Sequence, residues 1–470
     1  MSDNRTIREP ERELPVIDTY DVVVAGGGAG GICAAVAAAR AGAKTLLLER
    51  YGFLGGIATA GWVDLLLGVA PARTGEMVVG GIFREMVDGM AALGCARPFD
   101  EGIAKRRIPF EPEAFKLVAD EIVLDSGADL LLHSPVSDAI VEDGRLAAIV
   151  LEGKPGARAV EAGIFVDATG DADLVARAGG HWKMGRPADG RVQAMSLIFQ
   201  MGGLDPDRVP TRDGADDSEA RQMMTDAMRE GLPAYRWHTP ERSPDERQDS
   251  LSFNITHLGG DPLDVEVLTS GEIEGRRASW EIARWMRENV PGMEQAYLQL
   301  TAHMLAVRES RRMVGLETVT CDDVLSGRKR EDAIARCTFG LDVHCPMAHT
   351  GPEAAQMSGL TCRPYCGKRD CHMLTEHPDE LPEHGGVADG SWYDIPYGAL
   401  VSADLRNLLT CGRSVSADHQ AMASLRVMGP AMATGQAAGE AAAMAAAFGD
   451  ATSVDVTELQ RRLRANEAAV

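Results

Sequence analysis

Cysteine and histidine are concentrated in residues 344–384 of this 470-residue chain. Four of the nine cysteines and five of the eleven histidines fall within these 41 positions. The run Cys362-x3-Cys366-x4-Cys371-His372 contains enough soft ligands to hold zinc. It lacks the C-x2-C pair of zinc sites and the C-x2-C-x2-C-x3-C-P run of iron–sulfur proteins. We therefore predict no metal and interpret the segment as a polar loop with buried free thiols, while a metal or iron–sulfur centre stays open as an alternative.

A second group of reactive side chains lies near the C-terminus, in the segment SADHQAMASLRVMGP. His419 can transfer a proton because an imidazole titrates near neutral pH. Arg426 can bind a substrate carboxylate or stabilise developing negative charge. Both are catalytic candidates, although a satisfied structural hydrogen bond explains a single histidine equally well.

The N-terminal pattern indicates the fold that must position these side chains. Residues 20–25 (YDVVVA) are a β-branched run typical of a buried parallel strand. Residues 32–41 (ICAAVAAARA) are rich in helix formers, and residues 44–48 (KTLLL) are a second buried strand. This order predicts an α/β fold with a doubly wound, Rossmann-like domain.

The turn between the first strand and the helix carries Gly26, Gly28 and Gly31 in G-x-G-x-x-G spacing. These glycines would permit a tight turn, close approach of a pyrophosphate and close packing of the helix on the sheet, respectively. The helix N-terminus would then face the phosphates. Glu49, after the second strand, is placed to accept a hydrogen bond from a ribose 2′-hydroxyl, which disfavours NADP. These residues alone leave FAD and NAD both open.

Composition excludes several classes of protein. Forty-seven basic and seventy acidic side chains give a net charge of −23, which repels nucleic acid and anionic membrane surfaces. Residues 1–19 are predicted to form a flexible arm without the apolar core of an export signal. Residues 431–448 are too rich in Ala and Gly to favour membrane insertion. We expect a cytoplasmic protein with no nucleic-acid partner and no membrane span.

Later strands also end in glycine-containing turns. Residues 162–168 (AGIFVDA) run into TGDAD, and residues 407–411 (NLLTC) run into GRS. Six segments of the chain carry a family resemblance: VVVAGGGAGG, LLLER, GFLGGIATAG, FVDATGDADL, YDIPYGAL and NLLTCGRSVSADHQAMASLRVMGPAMATGQAAGEAAAMA. In these segments the chain resembles the FAD-dependent oxidoreductase family related to the flavin subunit of heterodisulfide reductase. The resemblance covers nearly the whole chain. It implies tightly held FAD and two-electron chemistry on a mostly unassigned substrate.

The resemblance also implies which residues bind the cofactor. The glycine loop would hold the pyrophosphate. The residues directly after the second strand would bind the adenosine ribose, and the loop that follows would pass beside the flavin. The backbone of Val136 would contact the adenine. The two later turns would hold the ribityl chain and phosphates. The helix near Pro430 would point its N-terminus at flavin N1 and the C2 carbonyl, where negative charge gathers on reduction. The implied set is Gly26, Gly28, Ala29, Gly30, Gly31, Glu49, Arg50, Gly55, Gly56, Val136, Thr169, Gly170, Asp171, Gly412, Arg413, Ala431 and Met432.

Asp342-Val343-His344 resembles the D-x-H segment that precedes the substrate loop in this family. His344 is therefore the first candidate acid or base, because an imidazole can remove an O–H or N–H proton while a hydride leaves the adjacent carbon. In a strand, Asp342 would diverge from His344, so we expect another group to orient the imidazole.

The remaining pattern predicts an insertion. We assign residues 20–184 and 391–450 to the FAD-binding domain and residues 185–390 to an inserted α+β substrate or cap domain. The inserted domain includes the Cys/His-rich loop 344–384. Residues 451–470 are predicted to form a C-terminal helix.

Together these features predict an FAD-dependent oxidoreductase that transfers a hydride between a small polar metabolite and flavin N5. Its electron acceptor is not identified by the sequence, and homo-oligomerisation stays open. Two alternatives are an electron-transfer flavoprotein subunit with a metal or iron–sulfur centre at the Cys/His-rich loop, and a noncatalytic dinucleotide-binding or assembly protein.

Overall fold

The structure is a computed structural model. It describes residues 6–8, 11–71, 76–212, 216–238, 240–241, 244, 249–355 and 386–470. Most of the Cys/His-rich loop, including Cys362, Cys366, Cys371 and His372, lies outside the described residues.

The strands in chain order are β1 (Val16–Ala25), β2 (Thr45–Leu48), β3 (Leu65–Leu66), β4 (Ile108–Pro109), β5 (Asp129–Leu131), β6 (Val136–Glu142), β7 (Arg145–Leu151), β8 (Arg158–Asp167), β9 (Trp182–Met184), β10 (Phe199–Gly202), β11 (Ser250–Phe253), β12 (Tyr297–Thr301), β13 (Arg311–Met313), β14 (Ala333–Cys337), β15 (Tyr393–Pro396) and β16 (Leu408–Thr410). The described helices are α1 (Ala29–Arg40), α2 (Ile82–Ala92), α3 (Phe99–Lys105), α4 (Pro112–Asp125), α5 (Asp173–Arg177), α6 (Ser218–Arg229), α7 (Val265–Asn289), α8 (Cys321–Ser326), α9 (Gly351–Ala355), α10 (His419–Leu425), α11 (Met428–Ala446) and α12 (Val456–Ala465).

The main sheet has the order β5-β2-β1-β8-β7-β6, and β16 also pairs with β8. Strand β1 is parallel to both β2 and β8, with Val24 opposite Leu47 on one side and Val166 on the other. The pairs β2–β5 and β8–β16 are parallel as well, whereas β6, β7 and the start of β8 form an antiparallel meander. The α/β class with a Rossmann-like parallel sheet is confirmed. Strand β1 begins at Val16, within the predicted N-terminal arm.

Helices α1 and α11 pack tightly through small residues. A Cβ at Gly435 would lie 2.1 Å from the carbonyl oxygen of Gly30, and a Cβ at Gly439 would lie 2.0 Å from that of Ala34. Only glycine allows two helix backbones to approach this closely. The contact brings the N-terminal ends of both helices to the same region of the molecule.

A smaller antiparallel sheet, β11-β10-β12, belongs to the inserted part of the chain. It has its own apolar core with helices α6 and α7, which includes Phe199, Met224, Phe253 and Met286. Residues of α8 and β14, by contrast, pack in the core that contains α1 and α11. The insertion is therefore interleaved with the main core, and the exact domain boundaries stay a prediction.

Helix α12 falls within the predicted C-terminal segment and packs against the main core through Leu459 and Leu463.

Among the described helices, none combines the length and the apolar character that crossing a bilayer requires.

Candidate active site

A cavity of about 700 Å³ lies at the carboxyl ends of β1, β2 and β8 and extends to the inserted sheet. Gly26, Glu49 and Thr169, which line it, follow these three strands closely, and Ser252 and Asn254 line it from the inserted sheet. The carboxyl edge of a parallel sheet is the usual position for a nucleotide in this type of fold.

The first glycine loop has the conformation that the motif predicts. Gly26 has φ +107°, and a Cβ at Gly31 would lie 1.8 Å from the carbonyl oxygen of Gly26. A Cβ at Gly28 would meet no atom within 4 Å, because Gly28 faces the cavity at the start of α1. The first N–H groups of this helix have no partner within the helix. Gly28 thus leaves space for a pyrophosphate beside free backbone donors.

A second glycine loop packs against the first. The N–H of Gly55 donates to the carbonyl oxygen of Gly27 at 2.8 Å, and Gly55 bridges to Gly28. Gly55 and Gly56 have φ values of +113° and +54°, which favour glycine. Gly56 lines the cavity, whereas Gly55 lies behind its wall.

Glu49 connects the end of β2 to the glycine loop. Its Oε2 accepts a hydrogen bond from Gly27 N at 2.8 Å, and its Oε1 accepts one from Tyr51 N at 2.8 Å. Burial raises the pKa of Glu49, although these two N–H groups oppose the shift. The residue lines the cavity, and each oxygen has a second lone pair for a ribose hydroxyl. Its role in holding the glycine loop was not predicted.

The turn after β8 is organised by Asp167, which the sequence analysis missed. Its Oδ1 accepts hydrogen bonds from Thr169 N at 3.0 Å and Thr169 Oγ1 at 2.7 Å, and its Oδ2 accepts one from Val175 N at 2.9 Å. Burial raises the pKa of Asp167 to about 6. The signal was an aspartate in a strand that otherwise contains only apolar residues at its end.

Asp171 and Arg413 join two turns that are 242 positions apart in sequence. Arg413 Nη2 donates to Asp171 Oδ1 at 2.8 Å, and Ser310 Oγ donates to the same oxygen at 2.7 Å. Burial opposes ionisation of Asp171, but Arg413 and Ser310 outweigh it and its pKa is lowered. This clamp holds the backbone of Gly170 against the cavity.

Most of the predicted cofactor residues therefore come together around one cavity. Those that line it are Gly26, Gly28, Ala29, Gly30, Glu49, Arg50, Gly56, Val136, Thr169, Gly170, Asp171, Gly412, Arg413 and Ala431. Gly31, Gly55 and Met432 lie behind the wall and support it. The open side of Gly28, the two helix N-termini and the acidic Glu49 are a donor and acceptor set that fits a dinucleotide.

His344 is buried and lines the same cavity. Its Nε2 lies 3.3 Å from Asp342 Oδ2, while its Nδ1 has no hydrogen-bond partner in the described part of the chain. Burial, and then the charge of Arg308, lower the pKa of His344 to about 3, although Asp342 opposes the shift. The imidazole is therefore neutral near pH 7, and Asp342 favours the tautomer that leaves Nδ1 as an acceptor.

The expectation that Asp342 does not orient His344 is wrong. Residues 338–343 form no strand, so the two side chains do not diverge as the predicted extended geometry requires. Asp342 also accepts a hydrogen bond from Arg426 Nη2 at 2.8 Å. Burial opposes ionisation of Asp342, but His344 and Arg426 hold its pKa well below the usual range. One carboxylate thus positions both candidates.

His419 lies in a different environment. It is buried, does not line the cavity, and places Nδ1 2.8 Å from Glu309 Oε2. Glu309 also pairs with Arg312 and accepts a hydrogen bond from Gln193 N at 3.1 Å. The contact with Glu309 is the structural hydrogen bond that the sequence offered as the alternative to a catalytic role for His419.

Several titratable residues of the cavity wall were not found from the sequence. They are Asp64, Arg236, His238 and Arg308. Burial raises the pKa of Asp64 to about 7. Burial and the charge of Arg236 lower the pKa of His238 to about 3. No motif or spacing marks these positions, because each belongs to a connecting segment whose place is set by the tertiary fold.

In the described residues, no group of three or more His, Cys, Asp or Glu side chains could hold a metal ion. The alternative of a metal or iron–sulfur centre depends on Cys362, Cys366, Cys371 and His372, outside that part of the chain, and stays a prediction.

The sheet, the two glycine loops and the cavity define a dinucleotide-binding protein of the Rossmann type. The sequence profile of the FAD dependent oxidoreductase family matches residues 21–463, and the chain belongs to that family. Membership of this family makes the chain an FAD-dependent oxidoreductase. These findings confirm the predicted enzyme class and cofactor, but they give no support for kinship with the flavin subunit of heterodisulfide reductase in particular.

Two similar proteins are both named digeranylgeranylglycerophospholipid reductase 2. That of Methanothermobacter thermautotrophicus is 32% identical over 193 residues, or 40% of this chain and 48% of the relative. That of Methanopyrus kandleri is 27% identical over 199 residues, or 41% of this chain and 47% of the relative. The matched region thus spans about half of these relatives. A solved structure, a geranylgeranyl bacteriochlorophyll reductase-like protein from Thermoplasma acidophilum, has a TM-score of 0.45 and 13% identity, covering 95% of this chain and 84% of that one.

Proposed function

We propose that this oxidoreductase transfers a hydride between a small polar metabolite and FAD N5, at a C–H bond next to an O–H or N–H group. When bound, FAD supplies the two-electron acceptor. The observation that carries the proposal is that His344 lines the cavity shared with the glycine loops and that its Nδ1 has no hydrogen-bond partner among the described residues. A neutral imidazole with one unpartnered nitrogen can take the O–H or N–H proton of a substrate. Because burial and Arg308 make it a weak base, the transfer depends on the negative charge of Asp342, which raises its pKa.

The surroundings of His344 prepare it to accept this proton. Asp342, 3.3 Å from Nε2, would stabilise the imidazolium that forms when Nδ1 is protonated. Arg426 Nη2 donates to the carboxylate oxygen Oδ2 of Asp342 at 2.8 Å, the same oxygen that His344 contacts, and to its carbonyl oxygen at 3.0 Å. His344 thus needs no large movement to act as base in one direction and as acid in the other.

His419 is not part of this proposal. Its Nδ1 is already bound to Glu309 and it does not line the cavity, so it has no access to a substrate proton. We assign it a structural role behind the active site.

The test is the reduction of bound FAD under anaerobic conditions. A panel of small alcohols, hydroxy acids and amines is mixed with the holoprotein, and bleaching of the visible flavin band identifies a reductant. We expect His344→Gln to slow that reduction by about 100-fold or more while FAD stays bound. His181→Gln is the control, because His181 is exposed and contacts Asp404 on the surface.

Dithionite should reduce the flavin of both variants equally, which shows that the cofactor is competent. A rate in His344→Gln equal to that of the control would refute the assignment of the base. A panel in which no compound bleaches the flavin, although dithionite does, would contradict the proposed reaction.

A further inference from the structure

Among the described residues, the cavity beside His344 has more arginine charge than carboxylate charge to neutralise it. Arg236, Arg308 and Arg426 all line it. Asp342 is the carboxylate that acts on all three guanidinium groups, and it also contacts His344. Three guanidinium groups beside one carboxylate leave an excess of two positive charges.

Arg308 is the most enclosed of the three, with 6% of its surface exposed. Within the described residues, its hydrogen-bond acceptors are uncharged: Ala194 O at 2.7 Å, Ser196 Oγ at 2.9 Å and Asn254 Oδ1 at 3.3 Å. Burial, and then the charge of Arg426, lower its pKa to about 10. A buried arginine without a carboxylate in direct contact is rare, because a distant charge does not fully offset the loss of hydration.

Arg236 is half-buried and has no ion pair in the described part of the chain. Its guanidinium lies over the ring of Tyr235, with 5.0 Å between Cζ and the ring centroid, and its Nε has no hydrogen-bond partner. Arg426 does have a carboxylate partner, but its buried Nε also lacks a hydrogen bond. Both guanidinium groups therefore have an Nε–H donor without a partner among the described residues.

Other groups of the cavity do not cancel this charge. Glu241 is paired with Arg107 at 2.6 Å and with Arg212 at 2.9 Å, and Glu272 is paired with Arg276 at 2.9 Å. His238 and His344 are neutral near pH 7, because burial and the arginines lower both pKa values to about 3. Burial raises the pKa of Asp64 to about 7, so its carboxyl group is only partly ionised at neutral pH. Among the described residues, the arginines therefore supply the excess charge of the cavity wall beside His344.

We propose that Arg236, Arg308 and Arg426 bind a doubly charged oxyanion carried by the substrate, either a dicarboxylate or a phosphate monoester. Guanidinium groups match the planar oxygens of both. The inference deepens the proposed function and rests on it, since it takes this cavity as the substrate site. It also separates two regions of the cavity: the glycine loops receive the phosphates of FAD, and the arginines receive the substrate.

The proposal is tested by calorimetric titration of the holoprotein with succinate and with inorganic phosphate, using uncharged succinamide for comparison. We expect at least one dianion to bind and succinamide not to bind. Arg236→Met keeps the aliphatic stem over Tyr235 and removes the charge, so the Kd of the dianion should rise about 10- to 100-fold. Arg308→Gln is the second variant and should give a similar loss.

Arg208→Met is the matched control, because Arg208 is an exposed arginine that pairs with Glu294 at 2.6 Å. Its dianion affinity should equal that of the wild type. FAD content and the melting temperature without ligand are measured for every variant. Arg236→Met should retain FAD and lose no thermal stability, since it removes a charge without an ion pair.

Equal affinity of the wild type and Arg236→Met, binding of succinamide as tight as that of succinate, or no binding of either dianion would overturn the inference. Loss of FAD from Arg236→Met and Arg308→Gln would overturn it too, because the arginines would then serve the cofactor. The preference between succinate and phosphate identifies the source of the oxyanion. Dianion binding without any reductant in the flavin assay would contradict the proposed reaction but leave this site standing.

Discussion

The two glycines at the ends of the first loop should respond to alanine in opposite ways. Gly28 has φ −72° and ψ 179°, which alanine adopts without strain, and its Cβ would enter the cavity without meeting an atom within 4 Å. At Gly31 the Cβ would lie 1.8 Å from a carbonyl oxygen of Gly26. Gly28→Ala should therefore affect the cofactor, and Gly31→Ala the fold.

The magnitudes follow from these contacts. Without FAD, Gly28→Ala should leave stability unchanged or raise it by about 0.4–1 kcal/mol, because alanine has less freedom in the unfolded chain. With FAD, the methyl group displaces a phosphate from its N–H donors, which costs about 2–4 kcal/mol and weakens binding about 30- to 700-fold. Gly31→Ala forces α1 away from β1 and should cost about 1–3 kcal/mol of stability even without FAD.

The assays are urea unfolding of both apoproteins and titration of each with FAD, followed by quenching of flavin fluorescence. Wild-type FAD affinity in Gly28→Ala would refute the location of the pyrophosphate. Reduced stability of apo Gly28→Ala, or unchanged stability of apo Gly31→Ala, would refute the packing argument.

Three other perturbations test the support of the site. Arg413→Met should weaken FAD binding about 10- to 100-fold in the same titration, because Asp171 loses its tether; an unchanged Kd would argue against the clamp. Since burial raises the pKa of Asp167 from 3.8 to about 6, the folded state binds the proton more tightly and stability falls as pH rises. Relative to the wild type, Asp167→Asn should therefore gain about 2 kcal/mol between pH 4 and pH 7 in urea unfolding, and a constant difference would contradict this. His419→Gln should lower stability by about 1–3 kcal/mol through the loss of its contact with Glu309, yet change flavin reduction less than threefold; a 100-fold slower reduction would make it catalytic.

The parts of the site that sequence analysis found are those that backbone geometry imposes. Gly26 has a positive φ, Gly28 leaves open space in the cavity, and Gly31 lies too close to a backbone oxygen for a Cβ. These three requirements recur at fixed positions in the turn, so the spacing of the glycines can be recognised in the sequence. The α/β fold was predictable for the same reason, since two buried strands flank a helix within thirty residues.

The choice between His344 and His419 could not be made from the sequence. It depends on Glu309, which lies 110 positions from His419 and occupies its Nδ1. The role of Asp342 was missed because extended backbone was assumed where the chain is irregular. Arg236 and Arg308 come from connecting segments without a motif, and only the folded chain brings them to Arg426.

The tight contact between α1 and α11 also has a consequence for biosynthesis. Nearly 390 residues separate the end of α1 from the start of α11, and translation of that length takes roughly 20 to 80 s. During that interval Gly30 and Ala34 of α1 lack the helix that covers them. The nascent chain therefore exposes the small-residue face of α1 throughout that interval, and the cavity wall at Ala431 is complete only once α11 has been translated.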